Sequence, residues 1–428
     1  MSTESAESAV KYALSLGFDD AIVTIGREHR QQVKLAMSRI ENIFDWDSLS
    51  TDVFLAYKKR TMSLGIEGSG NVQKAVENAR KRIEAIEPNE DYNGIADKAF
   101  RAVGTKKKDR EFDLAEEGRR ALELSAGLNC SGVVEGFMAD EETATSAGAV
   151  FTDANEFYRA CIRLYSDVET SGQSVECSER LDMERCVNEA RAFAEKAKNP
   201  ERADAGTYEV LYAPLAFSNL MDSTLGFSSI YSVESGMSFL AGKDGEEVAV
   251  SGFGLYDDAT LPSVNRRAFD DEGVKTRRNA VIEGGVLKTY LYNTTYARKY
   301  GKESTGNAGV VSPTPWCGDV REGTESVEDL VAEIKKGIII TNTWYTRFQN
   351  YRTAEFSTMP RDCALLVEDG EVKKSLKYLR VNDSLERTLR SISALSKERS
   401  HAYWWETEVP VITPWALVDG VKITTSSG

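Results

Sequence analysis

The order of hydrophobic patterns in the first 200 positions limits the fold of this chain more than any other feature. Residues 20–63 form alternating, β-branched stretches broken by turn residues, and residues 71–85 return to helical spacing. The same order recurs over residues 132–180, after which Asp182 is predicted to cap a helix over residues 183–198. A meander followed by a helix therefore occurs twice, which predicts antiparallel strands with helices packed on them.

A polar segment that contains proline and glycine, residues 199–206, separates this repeated pattern from the rest of the chain. We therefore predict an N-terminal α+β domain over residues 1–200 and a strand-rich C-terminal domain over residues 205–428. Strands are predicted in the second half over residues 248–255, 280–289, 337–344, 364–367 and 376–381. Helices are predicted there over residues 215–224, 296–300, 327–335 and 385–396. The fold class is accordingly α+β with two domains.

The charge balance excludes several classes of partner. The chain has 53 basic and 68 acidic residues, a formal net charge of −15, which opposes binding to the phosphate backbone of nucleic acids. No apolar run approaches the roughly 20 residues that cross a bilayer. The first seven residues lack the basic and apolar parts of a signal peptide. We expect a cytoplasmic protein that contacts neither nucleic acid nor membrane.

Histidine and cysteine usage limits the metal chemistry of the chain. The two histidines, His29 and His401, are too far apart in sequence for any local histidine pair. The six cysteines include no C-x-x-C pair, so buried thiols in a reducing compartment are the favoured interpretation over a redox or metal role. A histidine-rich zinc site within this chain is excluded, and no metal is expected.

Carboxylates are densest at Asp270, Asp271 and Glu272, which precede Gly273. Adjacent carboxylates could be neutralised by Mg²⁺ or Ca²⁺, which prefer oxygen ligands. A solvated turn before the strand near Ala280 is the alternative, and we favour it. No G-x-S-x-G motif is present, and a Ser-Lys dyad between distant residues stays open.

Aromatic residues concentrate in two short segments with polar neighbours, residues 343–352 and 402–406. Such a composition is typical of recognition surfaces, but also of a core or a subunit interface. The candidates for contact with a peptide or a partner are Trp344, Tyr345, Trp404 and Trp405, with packing favoured over substrate contact.

Five segments of the second half carry a family resemblance: residues 210–218, 238–246, 269–276, 282–291 and 304–307. They are similar to the TldD/PmbA family, also called the modulator of DNA gyrase family. A late turn over residues 367–371 fits the same pattern, and the first half fits more loosely through its two meanders. The resemblance implies a TldD/PmbA-type C-terminal domain.

The resemblance also shows where this chain departs from the catalytic members. Proteins of the TldD kind resemble zinc metalloproteases with His-Glu-x-x-x-His on a helix after a strand, and a cysteine near the C-terminus as a further ligand. Ala213, Pro214 and Ser218 stand at the first histidine, the glutamate and the second histidine. The C-terminal cysteine is missing as well, and only His401 falls close to its place. The chain therefore resembles the PmbA/TldE kind, which lacks the zinc motif.

This resemblance implies a non-catalytic subunit of a TldD/TldE-type metalloprotease complex that cleaves unfolded or extended peptides. The chain would hold or orient substrate for a TldD-like partner, in which the zinc is expected, and would form a homodimer when isolated. Two alternatives stay open. One is a self-sufficient hydrolase with an unrecognised site, and the other is a homodimeric peptide-binding protein that releases its ligand uncut.

Overall fold

The computed structural model describes residues 5–68, 70–106, 113–167, 170–310 and 312–425. The elements of the first half are α1 (Ala6–Ser15), β1 (Asp20–Ala36), β2 (Arg39–Tyr57), β3 (Arg60–Glu67), α2 (Val72–Arg82) with a 3-10 turn (Ile83–Ala85), β4 (Phe100–Val103), α3 (Leu114–Leu124), β5 (Asn129–Thr145), β6 (Ala149–Tyr165), β7 (Ser171–Ser178) and α4 (Met183–Lys196).

These strands form one seven-stranded sheet in the order β3-β2-β1-β5-β6-β4, with β7 also paired to β6. Strand β1 pairs antiparallel with both β2 and β5, so the two predicted meanders are joined edge to edge. The helices α1 and α2 pack on one part of the sheet and α3 and α4 on another, each over its own apolar cluster. The repeated meander-then-helix pattern is therefore confirmed, within a single continuous sheet.

Helix α4 illustrates how closely local sequence signals can place an element. The Asp182 side chain accepts a hydrogen bond from the backbone N–H of Arg185, which satisfies one of the free donors at the helix start. Ala190 and Ala194 are buried against the sheet. The predicted helix over residues 183–198 is confirmed except for its last two residues.

The elements of the second half are β8 (Glu201–Arg202), β9 (Gly206–Tyr212), α5 (Pro214–Ser228), α6 (Ile230–Glu234), β10 (Gly254–Asp258), β11 (Arg278–Glu283), β12 (Val286–Leu287), α7 (Thr294–Lys299), β13 (Gly318–Val320), α8 (Val327–Glu333), β14 (Lys336–Ile340), β15 (Thr343–Asn350), β16 (Glu355–Pro360), β17 (Ala364–Glu368), β18 (Glu371–Lys377), β19 (Leu379–Ser384), α9 (Leu385–Arg390), β20 (Ile392–Ala402) and β21 (Val411–Thr425). The prediction of an α+β fold is confirmed.

Strand β9 lies in the interior of the second sheet, between β14, to which it runs parallel, and β21, to which it runs antiparallel. Val210, Leu211 and Tyr212 are completely buried, because both faces of this strand are covered. The chain leaves the sheet at Tyr212 and enters α5 within two residues. This junction sets the position of the candidate site.

Two expectations for the second half are wrong, those for residues 385–396 and 248–255. The helix predicted over residues 385–396 ends at Arg390, and residues 392–402 form a strand because they pair with β21. A strand is predicted over residues 248–255, but β10 begins only at Gly254, so most of the predicted range is not in a strand. The predicted linker over residues 199–206 contains β8, which pairs parallel with Leu376 and Lys377 of β18.

No helix in the described part of the chain combines the length and the apolar character that a membrane span requires.

Candidate functional site

The three positions aligned with the zinc motif lie at the junction between β9 and α5. Ala213 is the N-cap residue of α5, and its side chain supplies no capping hydrogen bond. Pro214 occupies the first turn, where its missing N–H would have no helical partner. Ser218, one turn later, donates from its hydroxyl to the carbonyl of Leu215 at 3.0 Å. All three residues are buried, so apolar contacts and a local hydrogen bond occupy the place of the motif.

His401 of β20 lies beside this junction, across a cavity of about 10 Å³ that Ala213 and Pro214 also line. Burial lowers the pKa of its imidazole to about 4, and Nε2 has no hydrogen-bond partner. A cavity of this size is at the lower limit for a single water molecule. The structure therefore brings together two of the motif positions with the histidine near the expected third ligand.

These residues do not fit a zinc ion. A protein zinc site uses at least three nitrogen, sulfur or carboxylate ligands, and the lining of this cavity offers two, the His401 imidazole and the Glu189 carboxylate, which already accepts a hydrogen bond from Ser174. Within the described residues, no group of three histidine, cysteine, aspartate or glutamate side chains is placed to hold a metal ion.

The carboxylate triplet forms a buried turn, so the expected exposure to solvent is wrong. Asp270 accepts hydrogen bonds from the backbone N–H groups of Glu272, Val274 and Ala308, and Glu272 accepts one from Thr294. The remaining carboxylate, of Asp271, lies 2.8 Å from the Arg267 guanidinium. Burial raises the pKa of Glu272 to about 7 and that of Asp270 well above its usual range. The two buried carboxylates hold neighbouring loops together through their backbone N–H groups.

The two aromatic segments, far apart in sequence, meet in the folded chain. The ring centroids of Trp344 and Trp405 are 4.0 Å apart in an edge-to-face arrangement. Trp404 is 1% exposed and packs into the core, whereas Tyr345 is 46% and Trp405 54% exposed. The backbone N–H of Tyr345 donates to the Glu406 carboxylate at 3.1 Å and so ties one segment to the other. Tyr345 and Trp405 are thus the two candidates that present large aromatic surface to solvent.

A cleft of about 990 Å³ opens next to this aromatic pair, and we call it the α5 cleft. Its floor is the face of α5 that carries Asn219, Asp222, Ser223 and Gly226, and one wall is the segment 345–348 of β15. Residues 312–316 and 405–409 complete the walls. The first three floor residues were missed from the sequence, although polar side chains at helical spacing on an otherwise apolar helix were an available signal.

The floor of the α5 cleft is rich in hydrogen-bond acceptors. Asn219 donates from Nδ2 to the carbonyl of Glu406 at 2.6 Å, which fixes the orientation of the amide, and its buried Oδ1 has no partner. Asp222 accepts from the backbone N–H groups of Glu408 and Val409 at 3.1 and 3.0 Å. Burial nevertheless raises the pKa of Asp222 to about 7, because those two bonds only partly replace water.

Trp344 lines a second cavity, of about 470 Å³. The guanidinium of Arg361 stacks 3.5 Å from the centre of the Trp344 ring, and Arg163 pairs with the buried Asp362 at 2.8 Å. Trp344 therefore packs against Arg361 at the second cavity and against Trp405, which lines the α5 cleft.

Several known proteins are similar to this chain in sequence or in structure. The chain is 32% identical over 197 residues to an uncharacterized protein of Methanocaldococcus jannaschii. The aligned region covers 43% of this chain and 46% of that relative, so the match spans about half of the relative's length. It is 22% identical over 427 residues to a metalloprotease PmbA homolog of Haemophilus influenzae, covering 92% of this chain and 91% of the homolog. The crystal structure of TldE from Thermococcus kodakarensis superposes with a TM-score of 0.84 at 23% identity, over 98% of this chain and 99% of that one.

The family model described as the PmbA/TldA metallopeptidase C-terminal domain matches residues 205–425, which is more than half of the chain. The match begins just before β9 and includes the β9–α5 junction, the α5 cleft and both aromatic segments. The resemblance found in the sequence is therefore confirmed, and this chain belongs to the PmbA/TldD family of metallopeptidases.

Proposed function

We propose that this chain is the non-catalytic subunit of a two-component metalloprotease and that it holds extended peptides for a zinc-bearing TldD-like partner. The supporting observation is the β9–α5 junction. Ala213, Pro214 and Ser218 provide neither a metal ligand nor a general base, and the adjoining cavity of about 10 Å³ leaves no room for a metal with its water. The chain itself is proposed to carry no cofactor.

The α5 cleft is the proposed place where the chain contacts substrate. It is large enough for several residues of an extended peptide, and its wall is a strand whose outer edge is open within the described residues. Backbone hydrogen bonds to such an edge ignore side-chain identity, which suits cleavage of varied sequences. The six cysteines are all free, which supports the proposal that the protein works in the reducing cytoplasm.

Co-expression with a TldD-type chain from the same genome tests this function. The pair should co-purify, contain zinc in proportion to the TldD-type chain alone, and cleave an unfolded peptide substrate. Neither chain should reach that rate by itself. The control is the same pair in which the motif glutamate of the TldD-type chain is replaced by glutamine, which should assemble without cleaving.

Two results would count against the proposal. If this chain purified alone retained one equivalent of zinc after dialysis, its motif positions would have been misassigned. If it cleaved the peptide without a partner, the self-sufficient hydrolase would take precedence.

A further inference from the structure

Acidic residues outnumber basic residues in the lining of the α5 cleft. Its lining includes three acidic residues, Asp222, Glu406 and Glu408, and one basic residue, Arg347. No ion pair joins Arg347 to any of these acids among the described contacts. Its guanidinium donates instead to the carbonyl of Thr346 and lies 5.6 Å from the centre of the Tyr345 ring. The negative charge of the cleft is therefore not neutralised from within.

One acceptor on the floor of the cleft, the amide oxygen of Asn219, has no donor. Asn219 is 4% exposed, and its Oδ1 has no hydrogen-bond partner, although a buried amide oxygen without a partner is costly. The exposed Glu408 carboxylate contacts no cation in the described structure. A ligand that brings several N–H donors and a positive charge would satisfy both groups, whereas a carboxylate or phosphate would be repelled.

Aromatic walls give the cleft a second preference. Tyr231, Phe348, Tyr351 and Trp405 line it together with Trp316. Aromatic faces attract ammonium and guanidinium groups and also cover the methylene stems that carry them. Lysine and arginine side chains combine all three features, namely charge, N–H donors and an apolar stem.

The backbone next to these side chains indicates what kind of ligand would carry the positively charged group. Strand β15 pairs with β16 on one side only, and a register shift between Trp344 and Arg347 interrupts that pairing beside the cleft. Tyr345 has a φ of 57° there. Strand β15 thus has an open outer edge beside the cleft, along which an extended chain can pair, although the N–H of Tyr345 and the carbonyl of Thr346 already have partners.

We propose that the α5 cleft binds an extended peptide segment added along the edge of β15, with a lysine or arginine side chain directed at Asn219, Glu406 and Glu408. The inference deepens the proposed function, on which it rests, by naming the class of segment that the subunit selects. Basic residues in unfolded chains would be held at this cleft, and acidic segments would be rejected.

The test measures binding to the isolated full chain by fluorescence anisotropy. The probe is a labelled, β-prone peptide of about nine residues with one central lysine, compared with peptides that carry norleucine or glutamate at that position. We expect the lysine peptide to bind about tenfold more tightly than the norleucine peptide. We expect the glutamate peptide to bind more weakly still. The preference for lysine should shrink as salt rises from about 0.15 to about 0.5 M, because part of it is a screened charge interaction.

The double variant Glu406→Gln/Glu408→Gln removes both charges and keeps side chains of similar shape. It should reduce the lysine preference to about threefold or less. The matched control is Glu328→Gln, an exposed glutamate in α8, which should leave the preference unchanged. Free lysine amide should compete only at far higher concentration, because it cannot pair with β15.

Equal affinity for the three peptides, or a preference that the double variant retains, would overturn the inference. Competition by lysine amide at the same concentration as the peptide would show a simple amine site and would overturn it too. So would a double variant that changes self-association of the chain but not peptide binding, since the cleft would then be an interface. Assembly and cleavage with the TldD-type chain are measured separately, so this inference can fail while the proposed function stands.

Discussion

At the residue scale, the β9–α5 junction carries the proposal that this chain is not itself a metal-dependent hydrolase, because the family resemblance aligns Pro214 with the glutamate of the zinc motif. Pro214 has no group that could activate water, and it lies in the first turn of α5, where its ring is compatible with the backbone. Its neighbours Ala213 and Ser218 are completely surrounded by protein. Close packing and side chains that are not zinc ligands thus occur together at the same junction.

Restoring the two histidines should not restore the site. In Ala213→His/Ser218→His, two imidazoles would enter a region with a cavity of about 10 Å³, so we expect a loss of stability of about 1–3 kcal/mol from overpacking. We expect no peptide cleavage, because Pro214 remains. Chemical denaturation and zinc content after dialysis check both statements, with the exposed change Glu328→His as the control. Peptide cleavage by the double variant alone would contradict this account.

The largely enclosed imidazole of His401 should make a pH-dependent contribution to stability. Its pKa is lowered from 6.5 to about 4, so the unfolded chain binds a proton in that pH range more readily than the folded chain does. The stabilising contribution is present above pH 6.5 and is lost as the pH falls through 4. The predicted loss is at most about 3 kcal/mol between these limits, at roughly 1.4 kcal/mol per pH unit.

His401→Phe isolates this effect, because phenylalanine cannot titrate there. The free energy of unfolding should fall less steeply between pH 6.5 and pH 4 in the variant than in the unaltered chain. Urea unfolding at several pH values measures the two slopes, and every other titrating group is common to both proteins. Parallel curves would show that the imidazole is protonated as easily in the folded chain as in water.

At the scale of elements, close approach between α4 and β7 depends on one glycine. A Cβ added to Gly172 would lie 2.2 Å from the carbonyl oxygen of Ala190 and 2.3 Å from the backbone nitrogen of Ala194. Both atoms belong to the backbone of α4, so the helix would have to move away from the sheet. The alanines along this face of α4 are buried, which shows how tightly the two elements pack.

We therefore expect Gly172→Ala to lower the free energy of unfolding by about 2 kcal/mol or more. The matched control is Gly226→Ala in α5, where a Cβ would meet nothing within 4 Å. That change should raise stability by up to about 1 kcal/mol, because alanine is the better helix former. Equilibrium denaturation of both variants gives the comparison, and a neutral Gly172→Ala would mean that α4 shifts without cost.

At the scale of the whole molecule, we expect the isolated chain to form a homodimer and to exchange it for a heterodimer with a TldD-like partner. Stable interfaces of this kind commonly bury upwards of about 2,000 Å². Tyr345 and Trp405 provide exposed aromatic surface for either the interface or the adjoining cleft. Because each chain has a net charge of −15, self-association should strengthen as salt screens the mutual repulsion.

Sedimentation of the isolated chain at about 0.05 and about 0.3 M salt tests this expectation. Trp405→Ala should weaken either self-association or peptide binding. Comparison of the two assays shows whether Trp405 belongs to the subunit interface or to the peptide-binding cleft. Glu328→Gln again serves as the control. A chain that stays monomeric at both salt concentrations and does not bind a TldD-type chain would refute the prediction.

The sequence by itself determined the features that depend on neighbouring residues. The cap at Asp182 and the helix predicted over residues 215–224 were readable, because each rests on side-chain chemistry or periodicity within a few turns of chain. The assignment of Ala213 and Ser218 to ligand positions rests on the family resemblance and stays a prediction. The family resemblance followed from the same short segments.

Only the tertiary structure decided which distant segments meet. Residues 392–396 belong to the helix predicted over residues 385–396, yet they form the start of β20 because they pair with β21, in a register that shifts at two places. Asp270 and Glu272 are buried rather than solvated, and Ala308 and the first residue of α7, Thr294, supply N–H donors to them from elsewhere in the chain. The α5 cleft likewise exists only where α5, β15 and residues 405–409 converge. Burial is a property of the assembled molecule, and local periodicity alone does not contain it.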